Sequence, residues 1–398
     1  MGSIKALVVA VWVALALMAG AMGSVAGLQS NAKASPSLLE ACLKAQSVTD
    51  QVSLRVVSEQ DIRSPRTGAP RRHRWEWLIR RESDLIDTSG RHLLPDMDET
   101  VTMKYREVFT KQTFVGYNYR PAKSHGPSGA LASNEPQRHW TVFFFDDASQ
   151  GVFLDGYLAG SSGKRVTDLA LEGTQQEVMG QEAVQGTPCT KVESRTAYGR
   201  IVLWIAETRG HLPFKVLYEK GPEDLYQDKR ISEWPETPFG SIDARGRPQA
   251  TAQLVGYSAV VDDVRVSKIG DVYVPVAGRE KETKKWIKNG REAISEVIET
   301  RTTRTDIEIS PSFAGTDAFV TDLPNGAPVN NLEDQNSGID YVWEHGKIVP
   351  VSAEFEGKAH GVWGGRALVV TVGWAVLGLV LVAIAVLLLW RARARRGA

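Results

Sequence analysis

Hydrophobic and polar positions alternate with period two over much of this chain. Val52, Leu54 and Val56 are separated by polar residues, and Val101, Met103 and Tyr105 alternate with Thr102, Lys104 and Arg106. That period marks half-buried β-strands. One stretch before them follows helical spacing instead. Ser35-Pro36-Ser37 opens it, and Leu38, Leu39, Cys42 and Leu43 fall on one face. Serine caps a helix and proline fits its first turn, so a short amphipathic helix is expected ahead of the strands.

Further strands are expected along the chain. Trp75–Ile86 and Arg91–Leu94 flank Thr88-Ser89-Gly90, read as a hairpin turn, and Arg63–Arg74 reads as a loop. Lys123–Pro136, rich in Gly, Ser, Pro and Ala, reads as a loop, followed by strands at Trp140–Phe145 and Gly151–Leu158. Between Val178 and Tyr218 three strands are expected: Gln181 through Cys189 to Glu193, Ile201–Ala206 and Phe214–Tyr218. Ala250–Val260, Val264–Val266 and Val272–Val276 read as more strands, with a turn at Ile269-Gly270-Asp271. Asn289-Gly290 suits a type I′ turn, because both residues tolerate positive φ. It predicts two long antiparallel strands on either side. A helix over Glu280–Thr300 is the rival, and Gly290 at its centre would cost about 1 kcal/mol.

The two ends are different. Ala367–Trp390 carries no charge over its whole length. About 20 apolar residues span a bilayer as a helix, so this stretch is expected to be a transmembrane anchor. Arg391, Arg393, Arg395 and Arg396 follow it and place that end in the cytoplasm. At the other end Lys5, an apolar run from Ala6 to Ala19 and Ser24-Val25-Ala26 have the anatomy of a cleaved secretory signal. The expected layout is a signal peptide (1–26), a leader (27–35), a folded extracytoplasmic region (36–310), its C-terminal extension (311–350), a stalk (351–366), the membrane helix (367–390) and a basic tail (391–398). Leu39-Glu40-Ala41-Cys42 is not a lipobox, since Glu40 suits that site poorly and Cys42 lies far from the apolar run.

Composition changes little. Hydrophobic residues make up 42% and charged residues 24%, as in a folded globular chain. Removing Lys5, Arg366 and the four tail arginines from the 47 basic residues leaves 41 against 47 acidic. A mildly acidic surface argues against a nucleic-acid partner. Cys42 and Cys189 make at most one bridge, and a disulfide between them and two separate buried thiols are both open.

No motif points to catalysis, a cofactor or a metal. Gly160–Arg165 hints at a phosphate loop, but Leu158 stands where its first glycine belongs and Arg165 where Ser or Thr belongs. The seven histidines form no metal-binding spacing. Asp146-Asp147 and Asp262-Asp263 read as turn chemistry. Trp75, Trp77, Trp140, Trp204, Trp234, Trp286 and Trp343 fall in or near strands. They serve either as core and cross-strand packing or as an aromatic lining able to hold an acyl chain.

Three segments carry a family likeness: Gly180–Cys189 (GQEAVQGTPC), Leu203–Glu207 (LWIAE) and Gly210–Lys215 (GHLPFK). Here the chain resembles the outer-membrane lipoprotein-sorting proteins, the LolA/LolB/LppX-like superfamily that includes the RseB-type sensors. The opening helix and strand are similar too. The resemblance implies a mainly β (α+β) fold: a large curved antiparallel sheet, an open half-barrel, packed on an N-terminal helix, to which this chain adds the transmembrane helix. It further implies an apolar cavity that holds lipid or lipopeptide, with no residue-specific site. The expected function is a non-enzymatic, membrane-tethered extracytoplasmic (periplasmic) module binding lipid, lipoprotein or hydrophobic peptide. The alternative is a structural or sensory module that docks another envelope protein.

Overall fold

The computed structural model of the chain describes residues 36–65, 70–93, 103–119, 130–134, 148–242, 248–321, 323–333 and 340–351. The expected signal peptide and leader, Trp140–Phe145, Asp146-Asp147, residues 352–366 of the stalk, the Ala367–Trp390 span and the tail arginines Arg391, Arg393, Arg395 and Arg396 lie outside these residues. Among the described residues no helix is long and apolar enough to cross a membrane.

Helix α1 (Pro36–Gln46) buries Leu39 and Cys42, and a 3-10 turn leads into strand β1 (Gln51–Arg63). Strands β2 (Arg71–Glu82), β3 (Leu85–Leu93), β4 (Met103–Phe109), β5 (Phe114–Tyr119) and β6 (Ala130–Ser133) continue as an antiparallel meander. The chain then folds inward through 3-10 turns at Ala148–Gln150 and Val152–Asp155 to helix α2 (Val166–Glu172). A second meander follows: β7 (Gln175–Val184), β8 (Thr187–Thr196), β9 (Gly199–Ala206) and β10 (Leu212–Lys220). After the small ladder of β11 (Leu225–Tyr226) with β12 (Lys229–Arg230) come β13 (Thr237–Ile242), β14 (Pro248–Ile269), β15 (Val272–Lys288) and β16 (Glu292–Ile309). The 311–350 segment adds β17 (Ala327–Asn331), β18 (Tyr341–Glu344) and β19 (Lys347–Pro350).

All but β11 and β12 join one 17-stranded sheet. Its pairings run β19-β18-β17-β6-β5-β4-β3-β2-β1-β16-β15-β14-β10-β9-β8-β7, with β13 beside the first half of β14. Every pairing is antiparallel except β6 with β17. Among the described residues β7 and β19 do not pair, so the sheet is not closed into a barrel. The fold is mainly β: one large open sheet packed on an N-terminal helix.

So wide a sheet must curl to bury a face. The inward segment 148–172 shows where it curls. Val152 and Tyr157 pack with Val56, Trp77, Ile86, Phe109 and Phe114 from β1–β5. Phe153, Leu154 and Leu158 pack with Ile201, Leu203, Val216 and Tyr218 from β9 and β10. Strands β4 and β9 are eight pairings apart, about 38 Å on a flat sheet. Neighbouring residues of one short segment reach both clusters only because the sheet wraps around it.

Several expected elements are placed differently. The turn between β2 and β3 is at Ser83-Asp84, while Thr88, Ser89 and Gly90 lie inside β3 opposite Ile79, Leu78 and Trp77. Gly90 is glycine because a Cβ there would meet the Trp77 ring. Ala130–Ser133 of the expected loop is a strand, and Gly151–Leu158 holds a 3-10 turn with Gly151 and Gly156 at positive φ. Gln181 to Glu193 is two strands, since Gln185 and Gly186 turn the chain at φ 52° and 76°. Ala250–Val260 and Val264–Val266 are one strand, β14, bulged at Asp263. The two ends of the expected loop Arg63–Arg74 are strand, Arg63 in β1 and residues 71–74 in β2. The Asn289-Gly290 hairpin is as expected, and the rival helix does not form.

Candidate functional site

Alternation along each strand makes two faces, and the inner one carries α1, α2 and the 148–172 segment. Over β8–β10 and β14 that face is filled with side chains. Leu39, Cys42, Phe153, Leu154, Leu158, Val166 and Leu169 pack on Ile201, Leu203, Ile205, Val216, Tyr218 and Tyr257. Burying each large apolar side chain contributes about 1.5–3 kcal/mol. The apolar space expected here is occupied by the chain itself.

Buried charges fasten the inner segment to the sheet. Arg304 of β16 donates to both Asp155 carboxylate oxygens at 2.7 and 2.8 Å and to the Gly151 carbonyl at 2.6 Å. Arg165 donates to the Asp155 carbonyl and pairs with Asp50. Arg81 pairs with Asp50 at 3.0 Å and donates to the Tyr157 hydroxyl at 3.0 Å. The Arg81 and Arg165 guanidinium carbons lie 5.4 and 4.9 Å from the Tyr157 ring centre. On the inner face of β15, Glu280 and Glu282 are buried, and Lys284 lies 2.8 Å from Glu282. Burial opposes the Lys284 charge, but Glu282 more than offsets it and the lysine pKa rises.

The half of the inner face on β2–β4 is a row of stacked rings. Trp75 lies face to face with His92 (centroids 3.7 Å, planes 5° apart) and beside Trp77 (5.5 Å, 6°). Tyr105 tilts against both indoles at 5.7 and 6.3 Å. His73 stacks on His92 at 4.9 Å, and its Nδ1 is 2.8 Å from His92 Nε2. The β2–β3 register creates this row by setting Trp75 opposite His92 and Trp77 opposite Gly90. Buried indole N–H groups usually find an acceptor. Those of Trp75 and Trp77 are buried and have none among the described residues.

Burial and the neighbouring His73 push the His92 pKa down to about 4, and burial with Arg71 lowers that of His73. The unfolded chain takes up a proton near pH 6.5, whereas folded His92 stays neutral until about pH 4. The unfolded state therefore binds more protons between those values. The stability contributed by neutral His92 is full above pH 6.5 and lost as the pH falls towards 4. Thermal melts across this window should show a steeper acid loss than those of His92→Phe, which keeps a ring on Trp75. Parallel curves would contradict this assignment.

The remaining residues singled out from the sequence are spread through the fold. Trp204 lies in a separate outer-face cluster, flanked by Lys191 and Lys215, and Trp343 lies in the cluster of β5, β6 and β17–β19. Trp234 and Trp286 pack against the inner core, and Trp140 is outside the described residues. Cys42 and Cys189 are free and sit in clusters on opposite faces of the sheet, so no disulfide joins them. Burial pushes the Cys42 thiol up to about 12 and raises that of Cys189, the reverse of what a reactive thiolate needs. Gly160–Arg165 is a turn into α2, and the Gly160 carbonyl accepts from Lys220. Asp262-Asp263 sits at the β14 bulge and holds Arg279. Among the described residues no cluster of metal-ligating side chains occurs.

The chain is similar to lipoprotein-sorting proteins. Solved structures similar to it include an outer membrane lipoprotein-sorting protein domain from Vibrio parahaemolyticus, with 12% identity over 71% of this chain and 95% of that one and a TM-score of 0.32. LprF from Mycobacterium bovis matches at 11% identity over 72% and 99%, with a TM-score of 0.26. A DUF1329 family protein from Desulfovibrio piger matches at 14% identity over 72% and 96%, with a TM-score of 0.34. The Vibrio domain carries the name of the lipoprotein-sorting proteins that Gly180–Cys189, Leu203–Glu207 and Gly210–Lys215 resemble. No protein-family profile matches the chain, and no curated protein does.

Two features escaped the sequence reading. The Arg304–Asp155 clamp joins residues 149 positions apart, and nothing local marks either one. His73 and His92 looked scattered because only the β2–β3 register brings them together.

Proposed function

We propose that this chain is a non-enzymatic binding module of the cell envelope, taking the acyl chain of a lipid or lipoprotein, or a hydrophobic peptide, on the aromatic half of the inner face. The Ala367–Trp390 segment would tether it to the membrane, with the folded region outside the cytoplasm. The observation that carries this reading is the stacked row of Trp75, Trp77, Tyr105 and His92 with its two acceptorless indole N–H groups. Flat rings offer apolar area for a chain, and an ester or amide carbonyl supplies the missing acceptor.

The test is mass spectrometry of lipids released from the purified full chain, beside quenching of its tryptophan fluorescence by brominated phospholipid. Acyl-bearing species should co-purify. Trp75→Phe and Trp77→Phe keep an aromatic face but lose the N–H donor, so each should retain ligand roughly fivefold more weakly. A chain that carries no acyl species, with quenching unchanged in both variants, would sink the reading.

A sensory or structural module is the alternative, and edge strand β7 favours it. Among the described residues Gln175–Val184 pairs with β8 alone, and it is largely exposed, Met179 included. Crosslinking in intact cells separates the two, because only the alternative requires a stable protein partner.

A further inference from the structure

The outer face of the sheet carries a cleft of about 330 Å³ across β1, β16, β15 and β14, on the side opposite the aromatic row. Strand register builds it from two rows. Val57, Thr303, Ala277 and Arg265 lie side by side, and next to them run Glu59, Arg301, Arg279 and Asp262. The first row is a floor of small side chains that ends at an arginine. The second sets Arg279 directly opposite Arg301, a like-charged pair that costs stability unless something neutralises it. The β14 bulge, one extra residue between Asp262 and Arg265, aims Arg265 at the same trough.

Charge is unevenly satisfied there. Asp262 grips Arg279 through two bonds of 2.8 and 2.9 Å, on the side away from Arg301. Glu299 holds Arg301 at 2.6 Å and reaches Arg279 at 3.8 Å, so it offsets part of their repulsion, and Glu59 is held by Arg74 at 2.9 Å. Asp263 reaches Arg279 at 3.5 Å. Arg265 has no carboxylate partner among the described residues and is exposed. Three guanidiniums thus border a small-residue floor: Asp262, Asp263 and Glu299 take up part of the donor capacity of Arg279 and Arg301, and Arg265 is left to face the trough. Guanidinium forks suit the geometry of phosphate oxygens, and the Thr303 hydroxyl adds a donor on the floor.

We infer that this outer cleft is a binding site for a phosphoryl anion, held by Arg265, Arg279 and Arg301. The phosphoryl group comes either from a phospholipid headgroup or from free phosphate. The site stands independently of the aromatic row.

Isothermal titration calorimetry of the full chain in a neutral detergent tests it. One arm uses inorganic phosphate. The other uses glycerophosphoglycerol, a phosphodiester headgroup without acyl chains. Saturable binding is expected in at least one arm, and the tighter of the two identifies the source. Losing one charged donor should weaken binding about tenfold in Arg265→Gln. Arg55→Gln, an exposed outer-face arginine paired with Asp306, should leave it unchanged. No saturable binding in either arm would overturn the inference, as would equal affinity in Arg265→Gln or an equal loss in Arg55→Gln.

Discussion

Arg304→Ala should cost about 3–5 kcal/mol of folding stability, because it breaks a buried ion pair and leaves one charge behind. The Arg304 side chain is 1% exposed and that of Asp155 10%. Its guanidinium makes both bonds to the Asp155 carboxylate and a third to the Gly151 carbonyl. Truncation strands the carboxylate inside the curl, where water cannot replace the lost donors. Urea unfolding of the full chain, followed by circular dichroism, measures the loss. The double variant Arg304→Met with Asp155→Leu removes both charges and should recover most of it, since a buried pair stabilises little over an apolar one. A single variant that loses less than about 1 kcal/mol, or a double variant less stable than the single, would show that the clamp does not hold the inner segment.

Gly151→Ala should be nearly as damaging, by about 2–5 kcal/mol, from two separate causes. Gly151 has φ 70°, and a Cβ in that left-handed region costs about 1–2 kcal/mol. The same Cβ would stand 2.6 Å from Thr302 Cγ2 and 3.3 Å from Val56 Cγ1, so β1 and β16 must give way. Overpacking of that kind costs about 1–3 kcal/mol. Gly290→Ala shares the positive φ (69°) but meets nothing within 4 Å, so it should lose only the backbone part. Equal losses in the two variants would mean that the inner segment does not press on the sheet as described.

Local signals were readable where the physics is local. Asn289-Gly290 marks its hairpin because both residues sit at positive φ, whatever surrounds them. Val52, Leu54 and Val56 mark β1 because one face is buried and the other wet. The misplaced turns fail for a related reason. Thr88-Ser89-Gly90 has turn composition, but its glycine answers to the Trp77 ring on the next strand. Gln185-Gly186 reads as an interruption within one strand, since the residues on both sides are equally strand-like and only pairing shows that the chain reverses. Gly151–Leu158 is apolar enough for a strand, yet Gly151 and Gly156 bend it into the core.

The candidate site was legible in part. Trp75 and Trp77 stand out as a lining or a core, and alternation alone could not choose between them. Their stacking with His92 and Tyr105 depends on the register of three strands. The Arg265, Arg279 and Arg301 cluster depends on three strands and a bulge, and no two of its members are close enough in the chain to suggest it.

By itself the sequence determined the period of each element, the mainly β class, the opening helix and the long hairpin at Asn289-Gly290, because φ preferences and one-sided burial act over a few residues. Only the tertiary structure decided that the sheet stays open, that residues 148–172 fill part of its inner face, that Cys42 and Cys189 face opposite ways, and that rings line one half of the curl. Those outcomes depend on which strands pair and on how a wide sheet closes around a buried segment. Pairing joins residues hundreds of positions apart, as Val52 meets Ile309, and a pattern that repeats every two residues carries no record of its partner.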